Sequence, residues 1–178
     1  AHLPDGLLED RRRKGLDGRD EMWEGVLHMV PPAREAHQWV ASGTFGAFRP
    51  LAIQRGLRPY FETGVFRTED DYRVSDLVFA RSDQMSGRGV EGGPPLVVEL
   101  LSPGDETHAK LDWYAGIGVD EVLVIDPETR RPELFVRRGD QMVLVGAEPV
   151  RVETLGVELT VVDGPRLRIV WDDGAAEV

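Results

Sequence analysis

The sequence contains no cysteine in its 178 residues. That excludes disulfide staples and thiolate metal sites, and it fits a reducing compartment such as the cytoplasm. Lysine is almost missing too: of 21 Lys and Arg residues, only Lys14 and Lys110 are lysine. No apolar run approaches the roughly 18 residues of a membrane span, and no basic-then-apolar signal segment opens the chain. Cationic excess is lacking as well. With 32 Asp and Glu the net charge is −11, which argues against a partner held mainly by electrostatics, nucleic acid included. The deficit is uneven. Residues 1–60 carry nine Lys/Arg against eight Asp/Glu, net +1, and residues 61–178 carry twelve against twenty-four, net −12. The one basic run, Arg11-Arg12-Arg13-Lys14, reads as a solvated helix face.

What is present concentrates between Pro94 and Tyr114, in PPLVVELLSPGDETHAKLDWY. Leu96-Val97-Val98-Glu99-Leu100-Leu101 is a short apolar, β-branched run bounded by prolines, the pattern of a strand buried on both faces. Glu99 is an acid inside it. An unpaired buried charge costs several kcal/mol, so Glu99 needs a cation, a metal, or a proton held by a raised pKa. Ser102-Pro103-Gly104-Asp105 then breaks the strand. Residues 106–116 have helical spacing, and Lys110 projects from the first turns. A chain that uses arginine nearly everywhere keeps lysine where a compact, titratable amine is required.

The remaining pattern is a helix, a block of strands, one crossover helix and more strands. With 41% apolar residues this describes an α/β protein with a mixed sheet, a single domain over residues 1–178. Residues 1–20 form an N-terminal extension and 172–178 a frayed acidic tail. Residues 7–14 read as a short helix, 21–30 as a hairpin around Gly25, and 33–54 as a long helix with His37, Val40, Phe45, Phe48 and Leu51 striped inward. Residues 57–67 and 72–81 read as strands joined by an acidic turn. The polar, Gly-rich stretch 82–93 predicts a mobile loop whose Arg81 and Arg88 close over a substrate, or a plain hairpin connection. A buried strand at 120–126, a hairpin at 133–146 and short strands at 157–162 and 167–171 follow. Trp23, Trp39 and Trp113 are expected in the core, and His108 at the surface.

Asp76 is a second lone acid beside an apolar run, either capping a turn, pairing with Arg73, or serving a site. If its strand pairs with that of Glu99, the two carboxylates lie within reach of one divalent cation of the Mg²⁺ type, which prefers carboxylate and water oxygens. Lys110 would then hold a water or neutralise phosphate charge. Glu21 and His37 are accessory candidates. His37, on a helix that faces the core, reads more readily as a hydrogen-bonded interior residue than as a ligand, and Glu21 reads the same way.

Taken in order, Trp23-Glu24-Gly25-Val26-Leu27, Met29-Val30-Pro31-Pro32, His37, Asp76, Val97-Val98-Glu99-Leu100-Leu101-Ser102-Pro103, Lys110, Tyr114, Gly118-Val119 and Asp126-Pro127 resemble the putative restriction endonuclease family. That family was formerly a domain of unknown function, is expanded in cyanobacteria, and is a branch of the PD-(D/E)XK nuclease superfamily. The likeness runs from about Arg11 to Leu159. It implies a restriction-endonuclease-like core with a mixed central β-sheet flanked by helices. It also implies Mg²⁺-dependent hydrolysis of phosphodiester bonds in nucleic acid, DNA for preference, with Mn²⁺ as a substitute, and a homodimer. By position Asp76 matches the acid of the PD motif, Glu99 the second acid and Lys110 the lysine; Glu21 and His37 match further family positions.

Two positions depart from the superfamily motif. Ser75 stands where proline is usual, which changes the backbone bias before Asp76 but removes no ligand. Leu101 stands where the lysine is usual, so Lys110 must reach in from the helix. The acidic composition motivates the alternative, a nuclease-like fold kept for binding or regulation without useful turnover. A two-carboxylate glycosidase, which needs an acid pair open to sugar, fits least.

Overall fold

The structure, a computed structural model, describes residues 6–15, 17–102, 104, 106–146 and 148–178. The first residues of the N-terminal extension lie outside it, as do Pro103 and Asp105 of the expected strand break. Helix α1 (Leu7–Arg13) is tied back by an ion pair from Arg11 to the buried Asp20 at 2.5 Å. Strands β1 (Glu21–Trp23) and β2 (Val26–His28) form the hairpin, with Glu24 and Gly25 both at positive φ as its two-residue turn demands. Pro31-Pro32 keeps the chain out of helix until α2 (Glu35–Gln54), two residues later than the sequence suggests. His37, Val40, Ala41, Thr44, Phe48, Leu51 and Ala52 recur at helical spacing on its buried face.

Strands β3 (Arg58–Thr68) and β4 (Asp71–Ala80) run antiparallel over nearly their whole lengths. Strand β5 (Val90–Glu91) adds in parallel to β3, and β6 (Leu96–Leu100) adds to the other edge of β4. A 3₁₀ turn (Thr107–Lys110) and α3 (Leu111–Ile117) carry the chain over to β7 (Glu121–Ile125), parallel to β6. Such a connection needs a helix-length crossover, which is why the Lys110 segment lies over the sheet. Strands β8 (Pro132–Arg138) and β9 (Gln141–Gly146) finish the large sheet, whose main path is β2-β1-β4-β6-β7-β8-β9. Strands β10 (Val150–Val152), β11 (Val157–Val162), β12 (Arg166–Trp171) and β13 (Gly174–Glu177) make a second, antiparallel sheet.

The core has two parts. On one face of the large sheet Leu77, Phe79, Leu100 and Leu123 pack with Val40 and Phe48 of α2 and with Leu159 and Ile169 of the second sheet. On the other face Val78, Val97, Val122 and Val124 pack under Trp113 and Tyr114 of α3. Burial of this apolar area is the main force that holds the site's elements in place.

Three expectations are corrected. The 82–93 stretch is pinned rather than mobile. It contains a 3₁₀ turn (Ser82–Gln84) and β5, and the Gln84 side chain donates to the Gly93 carbonyl at 2.7 Å while accepting the Arg81 N–H at 2.9 Å. Its glycine serves close packing: a Cβ on Gly89 would come within 2.4 Å of the Gly64 carbonyl oxygen. The acidic tail is not frayed either. Asp172-Asp173 form a hairpin turn, and β13 then pairs with β12 from Trp171↔Gly174 to Arg168↔Glu177. Trp39 is 63% exposed instead of in the core, because it lies outside the inward stripe of α2.

Candidate active site

The sheet forks at β4. One edge of β4 pairs with β1 at Tyr72 and next with β6 from Leu77 onward, so Arg73 to Asp76 face a gap between two diverging strands. Carboxylates fill the hydrogen bonds that a ladder would have made: the Val74 N–H donates to Glu21 Oε1 at 3.0 Å, and the Leu100 N–H donates to Asp76 Oδ2 at 2.8 Å. Extending the β4–β6 register by one rung sets Asp76 opposite Glu99. Cross-strand neighbours share a face. The strand geometry alone therefore brings the two acids together.

Glu99 is 3% exposed within a strand of uniformly buried residues. Its Oε1 lies 3.5 Å from Lys110 Nζ and accepts the Tyr114 hydroxyl. Tyr114 in turn shares a hydrogen bond of 2.8 Å with Ser75 Oγ. Ser75 thus supports Glu99 through the tyrosine. Lys110 and Tyr114 are four residues apart, the spacing that places both on one helical face.

Lys110 makes its shorter contact to Glu21, at 2.7 Å. Glu21 is 2% exposed, and its other oxygen accepts the Trp23 indole N–H at 2.7 Å. Behind it the Arg73 guanidinium lies between the Trp23 and Trp113 rings, 4.3 and 4.4 Å from their centroids, and His28 stacks on Trp23 at 4.1 Å. Arg73 pairs with Asp71 at 3.0 Å, not with Asp76. Such a sandwich desolvates the guanidinium while the ring faces return part of the lost hydration energy.

Asp76 instead meets His37, whose Nε2 lies 3.3 Å from Oδ2. The Nδ1 of His37 is buried without a partner. Across β4, Glu62 falls between the pairs Phe61↔Leu77 and Thr63↔Ser75, takes φ 47°, and pairs with Arg19. A non-glycine residue in the left-handed region of a strand is strained, and strain of this kind gathers at functional sites.

Glu21, His37, Glu62, Asp76, Glu99 and Lys110 line one cleft of about 470 Å³, together with Met29 to Arg34. A second hollow of about 580 Å³ beside β8 and β10 lacks comparable chemistry: Glu121 there accepts the N–H groups of Glu153 and Thr154, and Arg137 bridges Asp120. In the first cleft, burial pushes Glu99 up from 4.5 to about 7, against the pull of Lys110 and with a further push from Asp76 and Glu21. Burial would lower Lys110, but Glu99 and Glu21 outweigh it and hold the amine charged well above its usual range. For His37 burial also lowers, while the hydrogen bond and charge of Asp76 carry it above its ordinary value.

Among the described residues no three His, Asp or Glu side chains are grouped closely enough to form a ready cation cage. The donor chemistry still fits a hard divalent cation, which retains water and needs only one or two protein carboxylates. Asp76 and Glu99 are the two facing carboxylates of the cleft.

All five candidates from the sequence, Glu21, His37, Asp76, Glu99 and Lys110, line this cleft. Arg81 and Arg88 do not; they pair with Asp120 and Glu91. His108 is exposed and faces Glu133. From sequence alone Ser75, Tyr114 and Trp23 are assigned no part in supporting the two glutamates, although Trp23 and Tyr114 stand among the residues of the family resemblance and Tyr114 lies one helical turn from Lys110.

A family model described as Uma2, putative restriction endonuclease, matches residues 8–164. No curated protein matches the chain. Among solved structures, the crystal structure of a putative nuclease belonging to DUF820 from Anabaena variabilis is similar with a TM-score of 0.61 at 17% identity, over 75% of this chain and 79% of that one. At that identity the likeness is one of fold.

Proposed function

Because the chain belongs to the Uma2 family of putative restriction endonucleases, we propose that its cleft hydrolyses phosphodiester bonds of nucleic acid with a divalent cation. The observation that carries this reading is the meeting of Asp76, Glu99 and Lys110, from three separate elements, in one cleft. Asp76 and Glu99 would hold the cation, Mg²⁺ first and Mn²⁺ as a substitute. When bound, such an ion polarises a phosphoryl oxygen and lowers the pKa of bound water.

The chain's own side chains supply the rest. An ammonium has three donors. Lys110 directs one at Glu21 and one toward Glu99, which leaves the third for the attacking water or a phosphate oxygen. Water attacks phosphorus and gives up a proton to solvent. The P–O bond to the leaving strand breaks with its electron pair on the departing oxygen, which takes a proton from solvent, and Lys110 offsets the charge that builds on the phosphate. Tyr114 and Ser75 keep Glu99 oriented, and His37 does the same for Asp76. DNA as the substrate, a homodimer as the working form and the cytoplasm as the location complete the reading. Family membership supports the first two, and the absence of cysteine the third.

Incubation of wild type and Asp76→Asn with plasmid and linear DNA and Mg²⁺ or Mn²⁺ is the test. Equal rates for both proteins would end the hydrolytic reading. The second reading, a nuclease fold kept for binding or regulation, draws on the net charge of −11 and on the amine already lodged between two glutamates. Calorimetric titration separates the two: Mg²⁺ binding that Glu99→Gln abolishes belongs to the first.

A further inference from the structure

We propose that the first turn of α2 is a subsite for a second phosphate, the one next to the bond that is cut, and that Arg34 is its cation. The inference rests on the phosphodiester reading of the cleft and adds where the neighbouring part of the strand is held.

Charge bookkeeping around the cleft points to Arg34. Arg19 faces Glu62, His28 faces Glu106, His37 faces Asp76, and Lys110 faces Glu21 and Glu99. Arg34 lines the same cleft, is exposed, and among the described residues has no carboxylate partner. Every other basic side chain of the wall answers an acid, so among the described residues an incoming polyanion finds one guanidinium without an acid partner.

Backbone donors stand beside it. Arg34 is the N-cap of a 20-residue helix and gives no side-chain cap. The first helical bond runs from the Gln38 N–H to the Arg34 carbonyl at 3.0 Å, so the amides of Glu35, Ala36 and His37 precede the ladder. Anions bind readily at such a turn. An independent observation marks the same place as a polar recess: His37, 5% exposed and in the wall of the cleft, has a buried Nδ1 with no hydrogen-bond partner. Buried polar atoms are normally satisfied, and this one is not, in the same helical turn as the uncapped amides and Arg34. Glu35, in the same turn, is exposed and does not line the cleft. A phosphate also suits the guanidinium's fork of donors, which pairs with two of its oxygens at once.

The probes are two dinucleotides that differ only in a terminal phosphate, d(pTpT) and d(TpT). Their binding to the full chain is measured by calorimetry with Ca²⁺ present, and their hydrolysis is followed separately with Mg²⁺ or Mn²⁺. The phosphorylated probe is expected to bind on the order of tenfold more tightly. Arg34→Ala, a surface change that leaves the core untouched, should bring that ratio close to one, and Arg34→Lys should give an intermediate ratio because charge survives and the fork does not. Equal binding of the two probes by wild type, an unchanged ratio in Arg34→Ala, or no binding of either probe overturns the subsite. If the ratio behaves as expected but neither probe is ever hydrolysed, the subsite stands and the hydrolytic reading falls. If both are hydrolysed with no preference, the reverse holds.

Discussion

Lys110 sits 2.7 Å from Glu21 but 3.5 Å from Glu99, so the amine is anchored by the acid of the β1 hairpin and only leans toward the acid of β6. That asymmetry lets Glu99 keep an oxygen for another cation while Lys110 stays charged and in place. Glu21→Gln should uncouple the two. The amide oxygen still accepts from the Val74 N–H, but the NH2 replaces the oxygen that accepts the Trp23 indole N–H. Stability should therefore fall by about 1–3 kcal/mol, at roughly 2–4 °C in Tm per kcal/mol. Hydrolysis should fall on the order of tenfold or more, since a misplaced catalytic group is costly. Thermal melts and steady-state rates on the same preparations decide it.

The raised pKa of Glu99 predicts how stability follows pH. Between about 4.5 and about 7 the folded protein holds a proton on Glu99 that the unfolded chain has released. Stability from this group is therefore full below 4.5 and is lost as pH rises through 7, by roughly 3 kcal/mol at most. Glu99→Gln has no proton to release over this range. Denaturant melts from pH 4 to 8 should show wild type losing ground to this variant with rising pH. A constant gap would contradict the assignment.

Activity should rise over the range in which stability drops, because the carboxylate is the form that can hold a cation. The midpoint of the pH–rate profile is expected near 7 at low Mg²⁺ and should move to lower pH as Mg²⁺ is raised. A midpoint that ignores Mg²⁺ would mean that Glu99 is not a ligand.

Tyr114→Phe removes the hydroxyl shared by Glu99 and Ser75. Losing a buried donor to a carboxylate costs about 1–3 kcal/mol, and it takes away an interaction that favours the ionised acid. The rate midpoint should move up in pH while the plateau rate changes less. Ser75→Ala should shift it in the same direction by a smaller amount.

Arg73→Met should be among the most destabilising single changes, by about 3–5 kcal/mol, because it leaves Asp71 buried without its closest cation and opens the slot between Trp23 and Trp113. Intrinsic tryptophan fluorescence gives the direct readout. Removal of Asp71 as well, in Arg73→Met with Asp71→Asn, should recover part of the loss.

Glu99 was legible in the sequence because a carboxylate inside an apolar, β-branched run has no inexpensive explanation, and Lys110 because lysine is so rare here. Asp76 was legible for the same reason as Glu99. Partnerships were not. Glu21 and Lys110 are 89 positions apart, and no local period reports a contact between a hairpin and the end of a crossover turn. The Gly-rich stretch misled because glycine is written identically whether it frees a chain or lets two backbones touch, as at Gly89 and Gly64. The tail misled because two of its three acids sit in the turn of a hairpin whose strand is mostly small residues, Gly174-Ala175-Ala176, which carry little β signal.

The gap where β1 and β6 part along β4 has a practical consequence for anyone who wants a silent version of this protein. Glu21 and Asp76 serve as stitches between strands whatever chemistry they also perform, each closing a main-chain bond across the gap. Alanine at either position cuts a seam, and any phenotype then mixes lost chemistry with a loosened sheet. Glutamine at 21 and asparagine at 76 keep an oxygen on the thread, and these are the substitutions with which loss of function can be interpreted.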